Sequence, residues 1–154
     1  MILSDHFTLS ELTRSATADR RGLKNEPDPM VLLNLRRLAH VLEDVRALTG
    51  KPLRILSGYR SSAVNAAVGG SPSSYHCDGC AADFDPPDGL THSQFAKMID
   101  DAGIDFDKII IERAKGGAEW IHLQIPRSGS APRRQVLAAE LDRLGGTITR
   151  ITVA

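Results

Sequence analysis

Ser74-Tyr75-His76-Cys77-Asp78-Gly79-Cys80-Ala81-Ala82-Asp83 is the stretch on which the reading of this chain turns. It sets a histidine and an aspartate seven positions apart around a glycine and two alanines. Gly79 permits a tight turn. The run Ala81-Ala82-Asp83-Phe84-Asp85 then alternates as a strand does, with Asp83 and Asp85 on one face and Ala82 and Phe84 on the other. Two side chains able to ligate a metal thus converge from a loop and the strand it enters. Their complement is Glu119-Trp120-Ile121-His122, where a histidine opens an apolar run three residues after a carboxylate.

Working outward, Leu53 to Ser57 is predicted as a strand ending at Gly58, followed by Tyr59-Arg60-Ser61-Ser62 and a short helical turn carrying Val64, Asn65 and Val68. Gly69 to Ser74 is a flexible, glycine- and serine-rich loop of the sort that carries binding residues between firm elements. Downstream, Pro86-Pro87-Asp88-Gly89 ends the aspartate strand, and Thr91 caps a helix with Phe95, Met98, Ile99 and Ala102 inward. Asp107 to Glu112 and Trp120 to Ile125 pair as an antiparallel hairpin across Lys115-Gly116-Gly117. Upstream, Thr8-Leu9-Ser10-Glu11 is a capping box that starts a short helix, broken by Arg20 to Leu23 and by Pro27 and Pro29. Val31, Leu35, Leu38, Leu42 and Val45 recur at steps of three and four, which makes Met30 to Thr49 a long amphipathic helix with a core-facing stripe. After the polar loop Arg127 to Arg134, Val136 to Leu144 is expected to be a helix stopped by Gly145-Gly146, and Thr147 to Val153 a last strand.

A chain of 154 residues suits one domain with a real core. Nineteen basic residues balance nineteen acidic ones, so the broad positive field needed for nucleic-acid binding is absent and no nucleic-acid partner is expected. No window reaches the apolar length of a membrane span. Met1 to His6 lacks the features of a signal peptide, so synthesis in the cytoplasm is expected. Cys77 and Cys80 have the spacing of a zinc half-knuckle or a redox pair, but each reading lacks a partner element, and two small residues beside a site is the simpler one.

Catalytic zinc takes three protein ligands and keeps a fourth position open. His76, Asp83 and His122 supply such a set for one zinc ion, Glu119 is the candidate general base, and Arg60 the group that stabilises an oxyanion or holds substrate. One geometric condition attaches to this. Glu119 and His122 are an odd number of residues apart, so on a regular strand they point to opposite faces, and Glu119 must sit in the turn or at a bulge to reach the site. His6, His40 and His92 lack neighbouring ligand spacing and read as surface or packing residues.

The runs Ser57-Gly58-Tyr59-Arg60-Ser61, Val68-Gly69-Gly70-Ser71, Ser74-x-His76-x-x-Gly79-x-Ala81-x-Asp83 and Glu119-Trp120-Ile121-His122, with Asn65 between the first two, resemble the zinc D-alanyl-D-alanine carboxypeptidases and related phage peptidoglycan peptidases. The resemblance covers most of the chain and fades after Val136. It implies an α+β fold, a central antiparallel sheet packed with helices of the hedgehog/DD-peptidase type. It also implies one zinc peptidase domain over residues 1–154, with 136–154 its least defined part. Zinc would be held by His76, Asp83 and His122, with Glu119 as base, Arg60 at the substrate carbonyl and peptidoglycan peptides as substrate. Action on the cell wall then requires release linked to lysis or delivery in a particle. The alternatives are a non-catalytic peptidoglycan-binding or phage structural module with the same fold, and a redox role for Cys77 and Cys80.

Overall fold

A computed structural model describes residues 1–141 and 148–153. Helices form where the chain supplies its own caps. Thr8 accepts from the Glu11 amide and Glu11 reaches back to Thr8, which starts α1 (Leu9–Thr13). The single amino-terminal helix expected from the sequence is in fact two. The Ser15 hydroxyl accepts from the Ala18 amide and begins α2 (Ala16–Arg21), which ends at Gly22 in the left-handed region. Asp28 caps α3 (Pro29–Ala47), with Pro29 in the first turn, where no amide proton is required. Short α4 (Ser62–Ala67) starts at Ser61, and α5 (His92–Asp101) at a second capping box, Thr91 with Gln94.

Among the described residues, six strands form one sheet: β1 (Arg54–Ser57), β2 (Ala81–Asp85), β3 (Lys108–Ala114), β4 (Glu119–Gln124), β5 (Gln135–Leu141) and β6 (Ile148–Val153). Their order is β1-β2-β4-β3-β5-β6, antiparallel throughout except for the parallel pair β3 and β5. The protein is therefore α+β, as the sequence implied. Gly116 and Gly117, both with positive φ, turn β3 into β4. Over its described part, Val136 to Leu141, the helix expected from Val136 to Leu144 is instead strand β5, and Asp142 to Leu144 lie outside the described residues. Its Val-Leu-Ala-Ala-Glu-Leu run suits a helix in isolation, but parallel pairing with β3 from Lys108↔Gln135 to Ala114↔Leu141 wins over that local preference. The expected stop at Gly145-Gly146 lies outside the described residues, whereas β6 falls where the last strand was predicted.

One face of the sheet carries the core. Ala82 and Phe84 of β2, Ile109 and Ile111 of β3, and Ile121 and Leu123 of β4 meet Leu35, Leu38 and Leu42 of α3 and Phe95 and Ile99 of α5 in one buried cluster. Each large side chain fully buried there contributes about 1.5–3 kcal/mol over its exposed state. The other face carries Asp83, Trp120, His122, Gln124, Ile110 and Glu112, because residues opposite each other in register share a face and every second residue returns to it.

The segment that enters β2 is pinned to α3. Buried Asn34 donates to the Asp78 carbonyl at 2.9 Å, and Gly79 closes a single 3₁₀ turn, Tyr75–Asp78, at φ 68°. A Cβ on Gly79 would lie 2.9 Å from the Val31 backbone oxygen and 3.0 Å from the Leu35 side chain. Gly79→Ala is therefore expected to lower unfolding stability by about 1–3 kcal/mol through left-handed strain and crowding against α3. Urea unfolding tests this, and stability equal to the parent's would show that the turn can move off α3.

Candidate metal centre

His76 lies in the 3₁₀ turn Tyr75–Asp78, where the Ser74 hydroxyl accepts from its amide. Its ring is aimed by a backbone carbonyl: Nδ1 is 2.7 Å from the Gly58 oxygen. A carbonyl only accepts, so Nδ1 carries the proton and Nε2 presents a lone pair. That Nε2 is buried without a hydrogen-bond partner. Gly58 is tightly placed itself, since a Cβ there would run into the Leu12 carbonyl of α1, the same oxygen that accepts from the Tyr59 amide at 2.7 Å.

Asp83, in the middle of β2, faces both histidines. Its Oδ2 is 3.3 Å from His76 Nε2 and its Oδ1 is 2.9 Å from His122 Nδ1. His122 is directly opposite Asp83 in the β2–β4 register. One ligand atom from each of the three residues lies within 4.8 Å of the others, and all three residues are buried. Ligands at about 2.0–2.2 Å around a tetrahedral zinc lie roughly 3.4 Å apart. Two imidazoles, one carboxylate and an orphaned Nε2 at such spacing fit that ion.

Charge at the cluster follows from burial and proximity. Burial pushes the His76 pKa down more strongly than Asp83 lifts it, which keeps the ring neutral. Burial alone would raise Asp83, but the neighbouring histidines and their hydrogen bonds hold its carboxyl far below the usual range. His122 is displaced upward: burial opposes its charge, and the hydrogen bond to Asp83 with the charges of Asp83 and Glu112 outweighs it.

Arg60 stands beside this group. Its amide donates to the His76 carbonyl at 3.1 Å, Nη1 reaches Asn65 Oδ1 at 3.4 Å, and Nη2 is 3.6 Å from Asp83 Oδ2. Buried Asn65 in turn holds the glycine-rich loop by donating to the Ser71 carbonyl.

Glu119 does not join them. It is the first residue of β4, in unbroken register with Arg113 on β3, so neither turn nor bulge rotates it onto the face of His122. Its carboxylate is held instead by Arg113 at 2.7 Å and by His92, at the start of α5, at 3.2 Å. The carboxylate that does stand at the cluster is Glu112. It is opposite Trp120 and shares a face with His122, with Oε1 4.0 Å from His122 Nδ1. Burial pushes its pKa up and the Asp83 charge adds to this, against the pull of His122 and Arg60. Two hollows meet at Glu112 and Arg60, one lined also by Arg14, Leu56, Val68 and Trp120, the other by Ser71, Tyr75, Lys108 and Gln124. The sequence reading missed Glu112 because local spacing gives it no histidine. Writing out the hairpin register about Gly116 would have placed it two pairs from His122, on the same face.

Cys77 and Cys80 are free thiols outside the cluster. Cys80 is fully buried, and burial pushes its pKa up to about 11; Cys77 is also raised by burial. Both therefore remain protonated and poorly nucleophilic near neutral pH.

Behind His122 a polar chain leads away from the cluster. His122 Nε2 is 3.2 Å from Gln124 Oε1, Gln124 Nε2 donates to Asp107 Oδ2 at 2.6 Å, and Arg133 grips the Asp107 carboxylate with Nε at 2.8 Å and Nη2 at 2.5 Å.

A buried two-histidine, one-carboxylate set on the open face of a mostly antiparallel sheet, with a further carboxylate and a guanidinium beside it, has the makeup of a metal-dependent hydrolase centre. The family model for Peptidase M15 matches residues 5–124, more than three quarters of the chain, and the chain belongs to that family of zinc-dependent metallopeptidases. A comparison with curated proteins finds no match. The matched span ends at Gln124, so the Arg127–Arg134 loop, β5 and β6 lie beyond it.

The Arg133 guanidinium, as the leading cause, holds Asp107 at a pKa of about 2 against burial, below its ordinary 3.8. A pKa depressed in the folded state stabilises fully above the unfolded value and is lost as pH falls through the folded one. The stability deficit of Arg133→Ala should therefore be largest above pH ~5 and shrink from pH ~4 toward 2. Urea unfolding of both proteins across that range checks this, and a deficit independent of pH would mean that Asp107 is not the source.

Proposed function

We propose that this protein is a zinc peptidase that hydrolyses peptide bonds in bacterial peptidoglycan stem peptides, as a D-Ala-D-Ala carboxypeptidase or an endopeptidase. In this reading residues 1–154 form one catalytic domain, and His76, Asp83 and His122 hold one zinc ion. The observation that carries it is the meeting of these three side chains with Glu112 and Arg60 at one place on the sheet. Family membership supports the metallopeptidase chemistry, and the motif runs from Ser57 to Asp83 support the cell-wall substrate. The cell wall is reached after release linked to lysis or by delivery in a particle; among the described residues no helix is long and apolar enough to cross a membrane.

When bound, zinc supplies Lewis acidity, polarising a substrate carbonyl and acidifying water at the site. The remaining work falls to the chain. Glu112 takes the base role proposed for Glu119 on sequence grounds. Its carboxylate accepts a proton from the attacking water and returns it to the leaving amine, a cycle helped by burial, which raises the pKa of this carboxyl. Arg60 presents its guanidinium on the Asp83 side of the cluster, where it can donate to the oxygen that gains charge as the carbonyl becomes tetrahedral. Glu119 serves structure, tying β3 to the start of α5.

Paired substitutions separate the two carboxylates. Glu112→Gln should retain zinc and lose about 10²–10⁴-fold in turnover of purified stem peptides, whereas Glu119→Gln should stay within a few-fold of the parent. The reverse pattern would return the base role to Glu119. Chelation should abolish product formation and added zinc restore it, with mass spectrometry of peptidoglycan products identifying the bond cut. Cleavage undiminished by a chelator that strips the metal would overturn the zinc mechanism.

A further inference from the structure

The matched family span stops at Gln124, yet the segment just beyond it touches the turn that carries His76 and reaches β4 through Asp107. Arg127 lies with its guanidinium carbon 4.0 Å from the Tyr75 ring centroid, donates to Asp78 at 2.7 Å, and donates to the Ser73 carbonyl at 2.8 Å. It thus grips the turn that carries His76. Six residues later, Arg133 closes on Asp107 through both Nε and Nη2, and Nη2 also reaches the Tyr75 hydroxyl at 3.3 Å. A planar guanidinium that binds both carboxylate oxygens fixes their orientation as a single ammonium cannot.

We propose that Arg133, Asp107 and Gln124 are positioning residues that set which nitrogen of His122 faces the metal, and that the loop carrying Arg133 belongs functionally to the site. Asp107, ionised and held by Arg133, can only accept, so the group of Gln124 facing it at 2.6 Å is the amide NH₂. The other end of that amide, its carbonyl oxygen, then faces His122 Nε2 at 3.2 Å and can only accept. Nε2 therefore keeps its proton, and Nδ1, on the Asp83 side, is the nitrogen left for the metal. His76 is set in the opposite sense by the Gly58 carbonyl, which accepts from Nδ1–H and leaves the Nε2 lone pair free. Two rings thus present different nitrogens to one point, each fixed by a different acceptor. Asp107 is almost completely buried, so the chain is shielded from competing water, while Arg133 closes it from a half-exposed position. Partners of this kind behind a metal-ligating histidine typically carry about 10- to 100-fold in metal affinity.

This inference rests on the zinc reading above, and the test separates the two. Zinc affinity is measured by competition with a chromophoric chelator for the parent, Gln124→Met, Arg133→Ala and Arg133→Lys. The cobalt(II)-loaded proteins are examined by proton NMR for the exchangeable, metal-shifted imidazole N–H signals. The parent should bind zinc and give two such signals, one from each histidine. Gln124→Met should weaken zinc by about 10- to 100-fold and lose the His122 signal to solvent exchange while keeping that of His76. Arg133→Ala should shift both readouts the same way, and Arg133→Lys should not restore them, because it lacks the fork. Arg133 is half exposed, so its variants remain informative if Gln124→Met fails to fold. A parent that binds zinc, with variants that stay within twofold and keep both signals, would overturn the positioning role alone. A parent that binds no zinc would overturn the metal reading and this one with it.

Discussion

The face-to-face pairing of Asp83 with His122 across β2 and β4 is the constraint on which the rest of the site depends. In an antiparallel pair, residues in register share a face, and a slip of one position would send every side chain of β4 to the opposite side. His122 would then turn into the core and Ile121 out to the site. The apolar residues on the far side, Ile121 and Leu123 against Phe84 and Ala82, make such a slip expensive. The hydrophobic core thus acts as the ruler that sets the polar cluster, and neither histidine needs to be held by a long or mobile element.

The same rule decides between the two glutamates. Glu119 is three residues from His122 in the chain but on the other side of the sheet; Glu112 is ten residues away and on the same side. Once β3 and β4 pair without a bulge, only Glu112 faces the cluster, and Glu119 is released to bridge Arg113 and His92. Its bridging is not incidental to the site, since Arg113 and Glu112 are neighbours on β3. The strand that carries one carboxylate toward the cluster is steadied through the other.

Much of this was legible in the residues. The stripe of α3, the capping boxes at Thr8 and Thr91, the strand at Ala81–Asp85 and the β3–β4 hairpin all follow from local periodicity and capping chemistry. His76, Asp83 and His122 could be read as a set because two lie in one short run and the third opens an apolar strand. What escaped depended on pairing between distant segments. Strand β5 has a helix-favouring composition and is extended only because β3 lies beside it. Glu112 and the chain from Gln124 to Arg133 carry no spacing signature at all, for they are assembled by register and by the return of the loop before β5.

Gly58 links the site to the backbone of the amino-terminal helix. Its carbonyl orients His76, and its bare α-carbon lies against the Leu12 carbonyl, so the end of α1 and the imidazole ring are one backbone residue apart in mechanical terms. A displacement of the amino-terminal helix is therefore transmitted to the ring within a single peptide unit, with no flexible side chain to absorb it. By reciprocity, any ion that fixes the ring also fixes the helix, and the amino terminus should open less often in the loaded protein than in the empty one. The first turn of the fold then serves as a remote gauge of occupancy at its centre, readable by how slowly its amide protons exchange with solvent.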